Sequence, residues 1–281
     1  MWLLNTTTIQ IQEFRDDQIP PYAILSHTWS DAEVSFQEIR GRAKYIAHRH
    51  GYRKILKCCK RAAEDSLYYV WIDTCCIDKT NSVELSEAIN SMYNWYERAH
   101  LCYVYLDDMK VPQTAWQGLP HDSVMMLSNC RWFKRGWTLQ ELLASQNILF
   151  FNRKWQVIGT KKSLLEVIVD GTGIPASALG PRPFSTERHK FSIAQKMSWA
   201  AYRETSRVED KAYCLLGIFG VSIPLIYGEG ENAFFRLQLE IMRHSTDQSL
   251  FAWGDPQQLD QLMTLSNQAF VISFLSLKVL F

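Results

Sequence analysis

Apolar and polar positions along the chain fall into short continuous runs that alternate with segments of helical period. Ile9-Gln10-Ile11-Gln12-Glu13-Phe14 alternates between the two types, as a half-exposed edge strand does. Asp16, Asp17, Pro20 and Pro21 then mark a turn. Tyr22-Ala23-Ile24-Leu25 reads as a buried strand that stops at Ser26-His27-Thr28-Trp29. Ile55, Leu56, Cys59, Ala62 and Ala63 predict an amphipathic helix over about 52–65. Tyr69-Val70-Trp71-Ile72 is a second buried strand, ending at Asp73. Leu85, Ala88, Ile89, Met92 and Tyr96 give a second helical stripe, opened by the capping residues Asn81 and Ser82. Leu101 to Leu106 is a third strand, ending at Asp107 and Asp108, and a looser stretch runs from Pro112 to about Ser128. Trp137 to Ala144 reads as a helix and Asn147 to Phe151 as a fourth strand.

This alternation predicts an α/β fold, a parallel sheet with helices on its faces. Its crossovers bring the carboxyl ends of the strands to one rim, where open sheets of this kind bind ligands. Here that rim gathers Ser26, His27, Asp73 and Asp107. After Gly159 the character changes. Gly171 to Pro175 and Pro181-Arg182-Pro183 interrupt the pattern, and helices are expected at about 191–203, 207–219 and 230–243. The second half thus reads as a helical subdomain packed on the sheet. No internal repeat is evident.

With 281 residues, 47% hydrophobic and 21% charged, the chain can bury a substantial core. A formal net charge of +1 and the lack of a long basic run argue against a nucleic-acid partner. The seven cysteines are odd in number and contain no Cys-x-x-Cys, so buried reduced thiols are expected rather than disulfides or zinc. Asp73, Asp78 and Asp107 lack the spacing of a metal site, and neither metal nor cofactor is expected. Met1 to Asn5 is unlike a signal peptide, and the apolar run from Phe270 to Phe281 falls short of the ~20 residues that span a bilayer. The expectation is a cytoplasmic protein without stable membrane insertion.

Four stretches carry a resemblance. They are Tyr22 to Trp29, Tyr69-Val70-Trp71-Ile72-Asp73-Thr74-Cys75-Cys76-Ile77-Asp78-Lys79, Arg135-Gly136-Trp137-Thr138-Leu139-Gln140-Glu141-Leu142-Leu143-Ala144, and Arg203 to Gly230. In this order they resemble the fungal heterokaryon incompatibility (HET) domain, from Leu3 to about Trp253. Ser30 stands where the family usually has Gly, and Ser145 where Pro is common. Residues 1–254 are accordingly read as the HET domain, with about 20–160 as the α/β core and 161–254 as the helical part. Residues 255–281 read as an atypical tail, a truncated or mis-spliced end. The resemblance implies a role in vegetative incompatibility and programmed cell death after fusion of unlike fungal cells. It also implies self-association on activation and partnership with NOD-like or other incompatibility proteins. The Gly-rich phosphate loop of the nucleotide-binding domain that often follows such a domain is not in this sequence.

The HET domain is similar, more distantly, to TIR domains, which implies a flavodoxin-like sheet. TIR enzymes place a catalytic glutamate in a motif like Trp-x-x-x-Glu-Leu, and some cleave NAD. On that match Glu141 is the catalytic candidate and NAD a candidate substrate. Trp137 and Glu141, four apart on a helix, share one face. Arg131 and Arg135 are candidates to hold a pyrophosphate, and Asp73 to anchor a ribose or a loop. Ser26, His27, Trp29, Asp107 and Trp137 complete the ligand-binding set. Ser26 and His27, adjacent on a strand, point to opposite faces and make a poor nucleophile–base pair unless the turn reorients them. Asp78 is expected to cap its turn. Arg203, Arg207, Glu209 and Asp210 are expected to form an ion-pair network, with Glu229 in a tight turn nearby. Beside the enzymatic reading stand bland ones: Glu141 as a solvated or salt-bridged side chain, Trp137 as a core residue, and the whole domain as a non-catalytic signalling scaffold.

Overall fold

A computed structural model describes residues 1–110 and 126–251. Most of the looser stretch after Pro112 and the tail 255–281 lie outside the described residues. Seven strands form one sheet in the order β2-β1-β4-β3-β5-β6-β7. They are β1 (Trp2–Asn5), β2 (Ile11–Glu13), β3 (Ala23–His27), β4 (Tyr69–Ile72), β5 (Leu101–Tyr105), β6 (Ile148–Phe151) and β7 (Val157–Thr160). The four strands expected from the apolar runs, β3 to β6, are mutually parallel. The sheet as a whole is mixed, because β1, β2 and β7 pair antiparallel. The cause is local. β1 reaches β2, and β6 reaches β7, through short reversals, and a crossover to a parallel neighbour needs a dozen residues or more. Asn5 and Asn152 build these turns, their side-chain oxygens accepting backbone N–H groups two to four residues on.

The helices around the sheet are α1 (Phe36–Arg40), α2 (His50–Glu64), α3 (Ser82–Arg98), α4 (Arg131–Lys134) and α5 (Trp137–Ala144). Asn81 caps α3 as expected, accepting from the N–H groups of Val83 (3.1 Å) and Glu84 (3.3 Å). The buried stripe of α2 is Gly51, Lys54, Ile55, Cys58, Cys59 and Ala62. Leu56 and Ala63, expected inside, are exposed, and Lys54 lies on the buried face instead. Ser26 contacts Glu141 of α5 and His27 contacts Lys54 of α2. Alternation along β3 therefore sets α5 and α2 on opposite faces of the sheet. Trp71 lies wholly buried against Trp95 and Tyr96 of α3, with ring centroids 5.4 and 5.9 Å away and edges to faces.

The second half adds α6 (Leu165–Thr172), α7 (Phe184–Glu187), α8 (Ile193–Ser198), α9 (Asp210–Tyr213), α10 (Leu216–Phe219) and α11 (Asn232–His244). One continuous hydrophobic core takes in residues of both halves. The helix expected at 207–219 is broken at Cys214–Leu215, which lets α10 turn onto α3. The approach is close: a Cβ on Gly217 would lie 2.2 Å from the Cβ of Tyr93. Gly217→Ala is therefore expected to cost about 1–3 kcal/mol, as overpacking does, read as a lower urea midpoint. An unchanged midpoint would show that α10 is free to move away. All seven cysteines are buried and unbonded to one another.

Candidate functional site

The register of the parallel strands fixes the site. Leu25 pairs with Ile72, so Asp73, the next residue, comes level with Ser26 and His27. On one face, Ser26 Oγ accepts from the indole N–H of Trp132 (2.7 Å) and donates to Glu141 Oε2. The Tyr96 hydroxyl also hydrogen-bonds to Glu141. Glu141 is only 6% exposed. Burial pushes its carboxyl up to about 8, against the hydrogen bond from Ser26 and with help from the negative charge of Asp73. At neutral pH this side chain is mostly a neutral acid.

On the other face runs a chain of polar groups. The Lys54 ammonium donates to Glu33 Oε1 (2.6 Å) and faces His27 Nδ1 at 2.7 Å. His27 Nδ1 also faces the Thr28 carbonyl at 3.3 Å, and Nε2 meets Asp73 Oδ1 at 3.0 Å. Trp29 Nε1 donates to Asp73 Oδ2 (2.7 Å), and Lys79 Nζ lies 3.8 Å from the centre of the Trp29 ring. Burial raises Asp73, but His27, Lys79 and Trp29 outweigh it and hold the carboxylate down at about 2. Two acids, Asp73 at the tip of β4 and Glu141 on α5, are thus set far apart, one charged and one neutral.

A cleft of about 220 Å³ opens over these groups. Its floor is apolar, from Ile77, Leu85, Ile89 and Met92, and the strand tips contribute His27, Trp29 and Asp73. The start of α5 contributes Arg135, Trp137, Thr138 and Glu141, and the helical half contributes Ser206, Arg207, Asp210 and Tyr227. Of the residues singled out in the sequence, His27, Trp29, Asp73, Arg135, Trp137 and Glu141 meet here, joined by Arg207 and Asp210 from the expected ion-pair network. Ser26 sits behind Glu141 and is wholly buried. Asp107 and Arg131 do not reach the cleft: they pair with each other, Asp107 also accepting from Thr28 Oγ1 at 3.2 Å. Asp78 lies in its own turn, accepting from Thr80 and Gln37.

The network around Arg203 differs from the expected set of ion pairs. Among the described residues, no carboxylate lies within 4.0 Å of Arg203 or Arg207 as an ion pair, and hydrogen bonds do the joining. Arg203 Nη1 donates to Arg135 O (3.0 Å) and Thr138 Oγ1 (3.1 Å), fastening the start of α5. Glu209 Oε1 accepts from the N–H groups of Gly228 (2.8 Å) and Gly230 (3.0 Å), whose positive φ angles suit glycine. Asp210 accepts from Tyr227 and Trp137 and turns toward the cleft, while Glu229 bonds Tyr213 and Arg236 outside it. Lys79, Lys54, Glu33 and Trp132 complete the site and were not picked out as site residues in the sequence. Lys79 was legible only as the end of the Asp73-to-Lys79 motif; the others have no signal in apolar periodicity. Among the described residues there is no group of side chains that would hold a metal ion, and no helix long and apolar enough to cross a membrane.

Fold and site together define an α/β domain with an apolar-floored, aromatic-walled cleft, edged by charged groups, at the carboxyl ends of its parallel strands. Residues 22–123 match the family described as Heterokaryon incompatibility protein (HET), and residues 232–273 match a domain of unknown function, DUF8212. The chain is 48% identical over 228 residues to vegetative incompatibility protein HET-E-1 of Podospora anserina, a match that covers 80% of this chain and 16% of that protein. The family match and this identity support the heterokaryon incompatibility family for the chain. No solved structure matches.

Proposed function

We propose that this chain is an incompatibility effector that triggers death of fused, unlike fungal cells by cleaving NAD or a related nucleotide in the cleft, with Glu141 as the catalytic carboxylate. The observation that carries the reading is the placement of Glu141: nearly buried, held by Ser26, and on the wall of a cleft with Trp29 and Trp137. The order of the four parallel strands, second-first-third-fourth, is that of flavodoxin-like sheets, and it supports a TIR-like kinship. In the same reading the domain acts in the cytoplasm and is switched on by self-association or by NOD-like or other incompatibility partners. The chain matches only 16% of its relative, so such control has ample room in proteins of that length.

The chemistry follows from the charges. Cleaving the glycosidic bond sends its electron pair to the pyridinium nitrogen, and nicotinamide leaves neutral without a general acid. The ribose carbon becomes oxocarbenium-like and is stabilised or captured by a carboxylate, after which water supplies the hydroxyl and loses a proton. Glu141 must be ionised for this, and its carboxyl near 8 favours the neutral form at pH 7. A bound pyridinium beside it favours the charged form, so substrate binding drives out the proton. The test is purified protein, oligomerised, incubated with NAD. Nicotinamide release is expected, with kcat/KM rising with pH to a plateau above about 8, because that ratio reports the free enzyme. NAD left intact would leave the scaffold reading in place.

A further inference from the structure

We infer that Arg135, Ser206 and Arg207 form an anion subsite of the cleft that takes the diphosphate of a nucleotide. This deepens the reading of the cleft as a nucleotide site and rests on it. The ligand then lies with its phosphates against the helical half and its glycosidic bond toward Asp73 and Glu141.

The subsite is assembled by a short zip between the two halves. Residues 135 and 204 form a parallel bridge, with Glu204 N donating to Lys134 O (2.6 Å) and Gly136 N to Glu204 O (2.8 Å). Gly136 permits the approach: a Cβ there would lie 2.5 Å from Thr205 Cγ2. The zip sets Arg135 beside Ser206, with Arg135 Nη1 donating to Ser206 Oγ at 3.2 Å. Arg207 lies over the ring of Tyr227, 4.4 Å from its centre, which holds the guanidinium fork in place.

What marks these two arginines is a place on the cleft wall without a carboxylate partner among the described residues. Arg49, Arg61, Arg131 and Arg236 each have a carboxylate oxygen within 4.0 Å. Arg135 and Arg207 have none among the described residues, although both line the cleft. The nearby acid, Asp210, already accepts from Tyr227 and Trp137. Helix α5 also starts here without a side-chain cap, so its positive end adds to the field on a bound anion. Arg131, expected beside Arg135 as the second phosphate ligand, is instead committed to Asp107, and its backbone N–H to Asp108.

The test is calorimetric titration of the protein with ADP-ribose and, separately, with inorganic pyrophosphate. Arg207→Gln and Arg135→Gln are each expected to weaken ADP-ribose by about 10- to 100-fold, the range of one charge-assisted phosphate contact. Arg131→Gln should bind as wild type, and Arg207→Lys should fall between. Arg207 is exposed, so its variants should keep the wild-type melting temperature, which is measured alongside. The subsite is overturned if wild type binds neither probe, if Arg207→Gln binds ADP-ribose as wild type does, or if Arg131→Gln is weakened equally. Binding through these arginines without NAD cleavage would keep the subsite and end the enzymatic reading. Cleavage with an unchanged KM in Arg207→Gln would do the reverse.

Discussion

Glu141→Gln is expected to lose about 10³-fold or more in NAD turnover and all toxicity, while gaining stability at alkaline pH. The loss follows from the role proposed for the carboxylate, because an amide neither attacks nor stabilises an oxocarbenium-like carbon. The gain follows from burial. A folded carboxyl near 8, against an ordinary 4.5, stabilises the fold fully below the ordinary value. That contribution is lost as pH rises through 8, amounting to at most about 5 kcal/mol. Gln copies the neutral acid and still accepts from Ser26, so it escapes the loss. The variant and wild type should melt together near pH 5 and separate by several degrees near pH 9, the variant higher. Equal melting curves at pH 9 would mean that Glu141 is solvated and ionises freely. Residual killing by the variant would remove the catalytic role.

The parts of this site that the sequence showed are those that repeat a local rule. Apolar runs ending at His27, Asp73 and Asp107 mark strand tips, and the rim followed from their order. Trp137 and Glu141 share a face because four residues make about one turn. The edge strand read over 9–14 is β2, but β1 and β7 were not read, because the apolar runs within them are only three and two residues long, Trp2-Leu3-Leu4 and Val157-Ile158. Lys54 was passed over because a hydrophobic stripe is read by skipping lysines, although it sits one turn before Cys58 on the buried face of α2. The contact of Trp132 with Ser26 spans 106 residues, and that of Arg203 with Arg135 spans 68. Distances of that kind have no trace in spacing. Arg131 was grouped with Arg135 on proximity in sequence, but α4 ends between them and turns the two side chains to different partners.

The largest effect on stability is expected from Lys54→Met. The Lys54 side chain is 3% exposed and holds the middle of the line Glu33–Lys54–His27–Asp73. Met keeps the length and the apolar stem but removes the charge. Glu33 is then left partly buried, with only Ser30 donating to it at 2.9 and 3.0 Å. Stranding one member of a buried pair costs about 3–5 kcal/mol. Removing the stranded charge as well, in Lys54→Met with Glu33→Gln, should recover most of the loss, so the two substitutions are strongly non-additive. The pH response has a definite sign. In wild type, burial raises Glu33 but His27 and Lys54 outweigh it, so its carboxyl lies below the ordinary 4.5. Its contribution is present above that value and fades as pH falls through the lowered one. Without Lys54 the balance tips toward burial and the carboxyl rises, so mild acid should narrow the gap to wild type. Urea midpoints of the four proteins at pH 7 and pH 5 decide it. A Lys54→Met protein within about 1 kcal/mol of wild type, a cost typical of exposed pairs, would show that water reaches the line. If it does, the orientation of His27 and the aim of Asp73 into the cleft no longer depend on α2.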